Sequence, residues 1–335
     1  MPITAKELAK KLNLSATAVS MALNNKTGVS TKTRTMVLEA AKKYGYDFTK
    51  HSCKTNKIND IYFIVYKAHN AVMSYSPILS ELTDGINQEC QKAGYKLNIY
   101  HIYEKNQDVQ KYIEDLRTSR CAGIILLGTE IHAEVCNLFL KLPIPIVLLD
   151  SSFHSVNCNS VAINNVQGAY LATDYLISRR HKQPGYLRSS YPIINFAERS
   201  NGFYKAIQEN GMSASRCILH NLSPSIDGAF SDMLEIIDRN DELADCYFAD
   251  NDFIAIGAIK ALKLRGYRLP EDIAIIGFDN ISESKIIEPA LTSIHIPRQF
   301  MGQIAMQKLV QCITDPVPHV TKTEINTSLV KRFSV

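Results

Sequence analysis

From residue 58 onward the chain repeats one rhythm, a short apolar run followed by a longer amphipathic stretch. The runs are IYFIVY (61–66), KLNIYHI (96–102), GIILLG (123–128), PIVLLD (145–150), SVAI (160–163), PGYLR (184–188), CYFAD (246–250) and IAIIGFD (273–279). Stretches of helical period lie between them, such as 78–93, 166–178, 199–210 and 252–264. This β-α-β alternation predicts parallel strands with helices on both faces, since a parallel connection needs a crossover long enough to hold a helix. Near-continuous apolar strands fit sheets that are covered on both sides. Roughly 275 residues exceed one comfortable core, so two doubly wound α/β subdomains are expected. In such folds ligands sit beyond the carboxyl ends of strands.

The residues that follow the runs are therefore candidate ligand contacts. Asp150 closes PIVLLD, Asn251 and Asp252 follow CYFAD, and Asp279 and Asn280 end IAIIGFDN. Arg199 is expected to open the helix after YPIINFAE. Carboxylates and guanidinium groups are good bidentate partners for vicinal hydroxyls, as on a sugar. An Asp or Asn ahead of a helix is also its ordinary cap, and for Asp252 and Asp279 that reading stands beside the binding one.

The first 57 residues differ in charge. They carry eleven Lys and Arg against three Asp and Glu, a net of +8, while the other 278 carry 26 against 30, a net of −4. A solvated helical face would look like this, and so would an electrostatic footprint for phosphates. Thr4 to Glu7 reads as a capping box ahead of Leu8, Ala9 and Leu12. Ser15 caps a second predicted helix with Ala18, Val19, Ala22 and Leu23 on its apolar face; Ser30 caps a third with Val37, Leu38 and Ala41. Three short helices with a tight turn between the first two describe a helix-turn-helix unit. The outer face of the second, Ala16, Thr17, Ser20, Met21 and Asn24, is short-chained, so its backbone can approach a groove floor. Hydroxyls at Ser15 and Ser20 suit phosphates, and Thr17 can reach bases.

ITAKELAKKLNLSATAVSMALNNKTGVSTKTRTMVLEAAKKYGY resembles the DNA-binding headpiece of the lactose-repressor (LacI/GalR-type) family of bacterial transcription regulators. The matching pieces are LSATAVSMALN, VSTKTR and AAKKYGY. RSNGFYKAI, FADNDFIAIGAIKALKLRGYRLPEDIAIIGFDN and EPALTSIHIP are similar to the ligand-domain signatures of that family. The resemblance implies a headpiece at 1–47 and a hinge at 48–59. It also implies a periplasmic-binding-protein-like domain at 60–335, with one subdomain at about 60–162 and 294–324 and the other at about 163–293 and 325–335. The second helix is then expected in the major groove, with Thr4, Ser15, Ala16, Thr17, Ser20, Met21, Asn24, Ser30, Thr33 and Arg34 toward DNA. Arg199, Asn251, Asp279 and Asp150 match effector contacts, and Tyr75, Ser76, Phe196, Phe230, Asp252 and Arg298 complete the candidate set. Arg298 falls near where some relatives place an aromatic ring over a sugar; a pocket role and a solvated rim charge both fit it.

The chain departs from the family pattern at several positions. Met21 stands where the family has a guanine-reading Arg, so the operator half-site should differ there. Asn164 replaces a common Asp, and Arg180 a Gly. The segment DFTKHSCKTNKIND has Cys53 and Thr55 where the family hinge has Arg and a wedging Leu. A flexible basic linker that does not wedge is expected, unless Phe48 or Ile58 wedges from a shifted register.

The resulting expectation is a cytoplasmic, nucleoid-associated bacterial repressor, homodimeric on a palindromic double-stranded operator. A small molecule, most readily a sugar, would control it from the cleft; a purine or a phosphorylated partner protein stays open as effector. No G-x-G-x-x-G, G-x-x-x-x-G-K-[ST] or G-x-S-x-G motif is present, so no enzyme and no cofactor are expected. The eight cysteines are scattered without C-x-x-C, and no metal is expected. A plain solute-binding protein shares the two-subdomain plan, but the basic helical start and the lack of an apolar leader argue against it. No apolar run approaches membrane-helix length. TSLVKRFSV carries no leucine heptads, so a dimer is expected, not a tetramer.

Overall fold

The computed structural model describes residues 3–23, 28–44, 46, 59–72, 76–316 and 319–335, without the side chains of Thr31, Ser76 and Pro77. The chain divides into two units, Met1–Ile58 and Asn59–Val335. The hinge expected at 48–59 and the end of the headpiece at 47 lie outside the described residues, apart from Asn59.

The first unit is helical. Helix α1 (Ala5–Leu12) starts in the expected capping box: Thr4 Oγ1 accepts from the Glu7 amide, and the Thr4 amide donates to Glu7 Oε2 at 2.8 Å. Asn13, at φ 53°, caps its other end. Helix α2 (Ala16–Leu23) begins where Ser15 Oγ accepts from the Ala18 amide at 3.1 Å. Helix α3 (Thr31–Lys43) begins where Ser30 Oγ accepts from the Thr33 amide at 3.1 Å. Between the helices, Leu8, Ala9, Val19, Ala22, Val37, Ala40 and Ala41 are buried with Tyr46. Ala40 takes the place expected for Leu38, which is half-buried. Small side chains let the helices approach closely, and the core they form is correspondingly small.

The second unit contains two six-stranded sheets. The first holds β1 (Asp60–Lys67), β2 (Lys96–Tyr103), β3 (Gly123–Leu127), β4 (Ile146–Leu149), β5 (Asn159–Ile163) and β11 (Lys322–Ile325), ordered β2-β1-β3-β4-β5-β11 and wholly parallel. The second holds β6 (Gly185–Ser189), β7 (Leu219–Leu222), β8 (Cys246–Ala249), β9 (Ala274–Asp279), β10 (Thr292–His295) and β12 (Ser328–Val330). Its order, β7-β6-β8-β9-β10-β12, repeats the plan of the first, with β12 antiparallel to β10. Each sheet therefore has its switch point beside its first strand, β1/β3 in one and β6/β8 in the other, the place where such folds bind ligands.

Helices α4 (Ser76–Ala93), α5 (Val109–Thr118), α6 (Ala133–Phe139) and α11 (Arg298–Thr314) accompany the first sheet. Helices α7 (Asn165–Arg180), α8 (Ile194–Glu209), α9 (Ile226–Asp238) and α10 (Asp252–Leu264) accompany the second. Helices α4 and α11 meet so closely that a Cβ at Gly85 would lie 1.9 Å from the Gln299 carbonyl oxygen. The chain passes between the sheets after β5, after β10 and after β11. Ile163 and Ile325 pair with each other in the first sheet and β10 stays in the second to His295, so all three crossings fall slightly beyond the expected boundaries at 163, 294 and 325.

Four strands, β7, β10, β11 and β12, do not announce themselves as apolar runs. Strands β7, β11 and β12 are edges with partly exposed polar residues. Strand β10 is interior, yet it buries Thr292 and Ser293 completely because their hydroxyls are bonded: Thr292 Oγ1 accepts from the Arg332 amide, and Ser293 Oγ donates to Asp252. Helix α8 starts five residues earlier than expected, so Arg199 sits in its second turn and does not open it.

Candidate functional site

The carboxyl ends of β3, β4, β8 and β9 and the first turns of α8 and α11 enclose a cavity of about 50 Å³. Its polar wall comes from Thr129, Asp150, Asn195, Arg199, Asn251, Asp279 and Arg298; Val72, Ile78, Leu82, Phe196, Ile296 and Met301 supply much of the apolar wall. Asp150 and Asp279 leave their strands in the left-handed region, at φ 62° and 110°. Each such non-glycine residue costs about 1–3 kcal/mol, and that strain turns each carboxylate off its strand and into the cavity.

Two guanidinium groups converge on Asp279. Arg199 Nη2 lies 3.5 Å and Arg298 Nη2 3.4 Å from Asp279 Oδ1. Arg298 Nη1 also donates to the Asp279 carbonyl at 3.0 Å. Arg199 is held on every side: Nε donates to Asn165 Oδ1 at 2.9 Å, Nη1 donates to the Asp250 carbonyl, and its plane lies 3.7 Å over the Phe278 ring. Such stacking and forked donation belong to guanidinium alone, so Lys could not replace it. Arg298 is only 6% exposed, so it is a buried cavity group and not a rim charge. Its Nη2 lies beside Asp279 without hydrogen-bond geometry, which leaves a buried N–H in the cavity wall.

On the other wall, Thr129 donates to Asp150 Oδ2 at 2.6 Å. Burial pushes the Asp150 carboxyl up to about 6, opposed by that hydrogen bond and by the charge of Arg199. Asn251 caps α10 by accepting from the Ile254 amide at 2.9 Å while also lining the cavity. The cavity thus sets two cations, Arg199 and Arg298, against two acids, Asp150 and Asp279.

Six expected effector contacts come together here: Asp150, Phe196, Arg199, Asn251, Asp279 and Arg298. Two do not. Asp252 is fully buried behind the wall, and its carboxylate is consumed by Ser284 Oγ and Ser293 Oγ, both at 2.6 Å, and by the Ile281 amide at 3.0 Å. It fastens the loop after β9 to β10 and has no lone pair turned to a ligand. Phe230 is half-buried on α9 and packs against the core away from the cavity, with Lys260 Nζ of α10 5.4 Å from its ring centre. Tyr75 lies outside the described residues, and Ser76 begins α4 with its side chain outside them. Thr129 and Asn195 were not anticipated. Thr129 directly follows GIILLG, as Asp150 follows PIVLL, so the strand-end rule pointed to it.

In the headpiece unit, Ala16, Thr17 and Ser20 are exposed on one side of α2, and Met21 is half-buried; a Cβ on Gly28 would lie 3.3 Å from its sulfur. Thr4, Ser15 and Ser30 serve as the caps described above, with Thr33 bonded to Ser30 at 2.8 Å, and Arg34 is half-buried on α3. Their hydroxyls therefore sit at helix N-termini, where backbone N–H groups and dipole favour anions. Asn24 lies outside the described residues. Among the described residues no helix is long and apolar enough to cross a membrane.

A small basic three-helix unit with an exposed short-chained second helix, joined to a doubly wound pair of sheets with polar strand ends around a cavity, defines a ligand-responsive DNA-binding regulator. Residues 4–47 match the family of bacterial regulatory proteins of lacI type, and residues 173–335 a periplasmic binding protein-like domain. The chain is similar to the HTH-type transcriptional repressor PurR of Haemophilus influenzae (strain PittEE), 30% identical over 343 residues that cover 99% of this chain and 98% of that one. A LacI-family regulator from Enterococcus faecium, solved with bound ribose, aligns with TM-score 0.70 and 25% identity over 82% of this chain and 98% of its own. The lac repressor dimer bound to operator aligns with TM-score 0.70 and 21% identity, covering 100% of this chain and 99% of that one. The chain belongs to the LacI family.

Proposed function

We propose that this protein is a cytoplasmic, nucleoid-associated repressor, without enzymatic activity, that binds a palindromic operator as a homodimer and releases or takes it in response to a sugar. Residues 1–47 would bind DNA, 48–59 would link, and 60–335 would bind the effector and dimerise. The observation that carries the effector reading is the convergence of Arg199 and Arg298 on Asp279, facing Asp150, in a cavity between two sheets. Forked donors and carboxylates at several strand ends can each hold a pair of adjacent hydroxyls around one ring. The charges balance, which favours a neutral effector over a phosphorylated one. Because Asp150 and Thr129 stand on one sheet and Asp279, Asn251 and Arg199 on or beside the other, a bound polyol would tie the subdomains together and shift the balance of closure. Through the linker, that shift would alter the spacing of two headpieces on DNA.

A purine is the second reading, favoured by the name of the H. influenzae relative. A flat base needs aromatic faces. Among the described residues the cavity offers Phe196 and Phe253, with the Arg199 guanidinium 5.4 Å from the Phe196 ring centre and Phe230 placed elsewhere. Thermal-shift screening of the full chain against sugars and nucleobases decides between them, since a cleft ligand stabilises the folded state. Stabilisation by nucleobases alone rejects the sugar. An electrophoretic shift assay separates the repressor from a plain sugar-binding protein, which would leave DNA unshifted.

A further inference from the structure

Another cavity, of about 130 Å³, lies between the first turns of α4 and the end of β10, and Ile78 and Arg298 line both it and the inner cavity. Its other polar walls are Glu81 of α4, Asn280 after β9, Ser282 and Lys285 of a four-residue turn, and His295, the last residue of β10. We propose that this cavity is a second ligand site, for a small oxyanion, that shares Arg298 with the effector cavity but is separate from it. The inference goes beyond the repressor reading and does not depend on which effector the inner cavity takes.

The polar lining consists mostly of donors. Arg298 is buried, and its Nη2, 3.4 Å from Asp279 Oδ1, has no hydrogen-bond partner. A buried N–H left in this way is costly, and an acceptor brought by a ligand would relieve it. A network fixes the His295 ring. Arg332 Nη2 donates to Asn280 Oδ1, which leaves Asn280 Nδ2 to donate to His295 Nδ1 at 3.2 Å. Nδ1 therefore carries the lone pair and Nε2 the hydrogen of the neutral ring. Burial and the charges of Arg298 and Lys285 hold this histidine below its ordinary range against the opposing charge of Glu81, so the ring is a neutral donor near pH 7. The exposed Lys285 ammonium and the Ser282 hydroxyl add further donors.

The charge of this lining differs from that of the inner cavity, where two cations face two acids. Here, with His295 neutral, Lys285 and Arg298 face Glu81 alone, a net of +1. Glu81 Oε2 lies 3.6 Å from Arg298 Nη1, but its side chain is 56% exposed and can turn to solvent. A water molecule's share of the liquid is about 30 Å³, so a cavity of about 130 Å³ holds a tetrahedral ion such as sulfate or phosphate, or a short dicarboxylate. Such an ion would accept from Arg298 Nη2, His295 Nε2, Ser282 and Lys285, and charge-assisted bonds of this kind are short and strong. His295 and Arg298 also flank Ile296 and Pro297, the segment by which the chain crosses back from β10 to α11. A bound ion would brace that crossing. Because Arg298 belongs to both walls, ion and effector would change each other's affinity by the same factor.

The test is calorimetric titration of the full chain with sulfate, inorganic phosphate, malonate and succinate at constant ionic strength, since the basic headpiece also gathers anions. The expected result is saturable binding of one ion per chain. Tighter binding of sulfate or phosphate marks the site as one for tetrahedral ions, and tighter binding of malonate or succinate as one for carboxylates. Lys285→Ala should weaken that binding about tenfold or more, and Glu81→Gln should tighten it about threefold. Both side chains are exposed, so both variants should keep the parent's unliganded melting temperature. Equal affinity in the parent and both variants places the ion on the headpiece and overturns the site. Binding lost in Arg199→Ala but kept in Lys285→Ala moves the ion to the inner cavity and also overturns it. So does the absence of saturable binding by any of the four ions.

Discussion

Asp252→Asn distinguishes a carboxylate that holds the fold from one that holds a ligand. Burial pushes the Asp252 carboxyl up to about 7, with the nearby charge of Asp279 in the same direction and three hydrogen bonds opposing. In the unfolded chain it titrates near 3.8. Between those values the folded protein keeps a proton that the unfolded chain has released, so stability falls as pH rises and the loss is complete above about pH 7. A gap of about three pH units at 1.36 kcal/mol each amounts to about 4 kcal/mol. Asparagine does not titrate. Its Oδ1 can still accept from the Ile281 amide and Ser284, and its Nδ2 can donate to Ser293 Oγ, which also accepts from the Asn280 amide at 3.0 Å. The protonated acid makes the same pattern, its O–H donating to Ser293 Oγ, so asparagine stands in for the protonated side chain at little cost. The variant should match the parent below about pH 4 and exceed it in stability as pH rises, by up to about 4 kcal/mol above pH 7. Asp150 and Asp250, both pushed up to about 6 by burial, titrate in both proteins and cancel in the difference. Because the chain has no Trp, urea unfolding is best followed by far-ultraviolet circular dichroism at several pH values. Parallel stability curves, or loss of effector affinity in Asp252→Asn, would refute the assignment.

Three further outcomes are expected. Arg199→Ala and Asp279→Ala should each weaken effector binding by about 2–4 kcal/mol in calorimetry while operator binding persists, because each removes one partner of a desolvated charged contact; unchanged affinity rejects their role. Operator affinity should fall steeply with salt and reside in residues 1–57, which carry the net +8; residues 58–335 binding operator as well as the full chain does would contradict this. Sedimentation at micromolar concentration should give the mass of two chains, and a mass near four chains would reject the dimer.

The features legible in the sequence are those encoded locally or periodically. Most apolar runs became strands because a strand buried on both faces must be apolar throughout, whereas the run at 96–102 became the edge strand β2, which leaves Ile99, Tyr100 and Tyr103 exposed. The caps at Thr4, Ser15 and Ser30 were readable because a cap joins residues three apart. The strand-end rule located the cavity through Asp150, Asn251 and Asp279 without knowledge of the packing. What it could not do was tell Asp252 from Asp279, since each is an acid just after an apolar run. The difference is tertiary: Asp279 leaves its strand at φ 110° and meets two guanidiniums, whereas Asp252 enters a helix and is claimed by Ser293, 41 residues away. Arg298 is ambiguous in sequence for the same reason. Its burial follows from where the chain crosses back between the sheets, bringing the first turn of α11 against the end of β9. Interior strand β10 was hidden because its Thr292 and Ser293 read as surface residues until their distant partners, Arg332 and Asp252, satisfy them. Local chemistry determined which elements form, and only the fold decided which polar groups face one another, because those pairings join residues far apart in the chain.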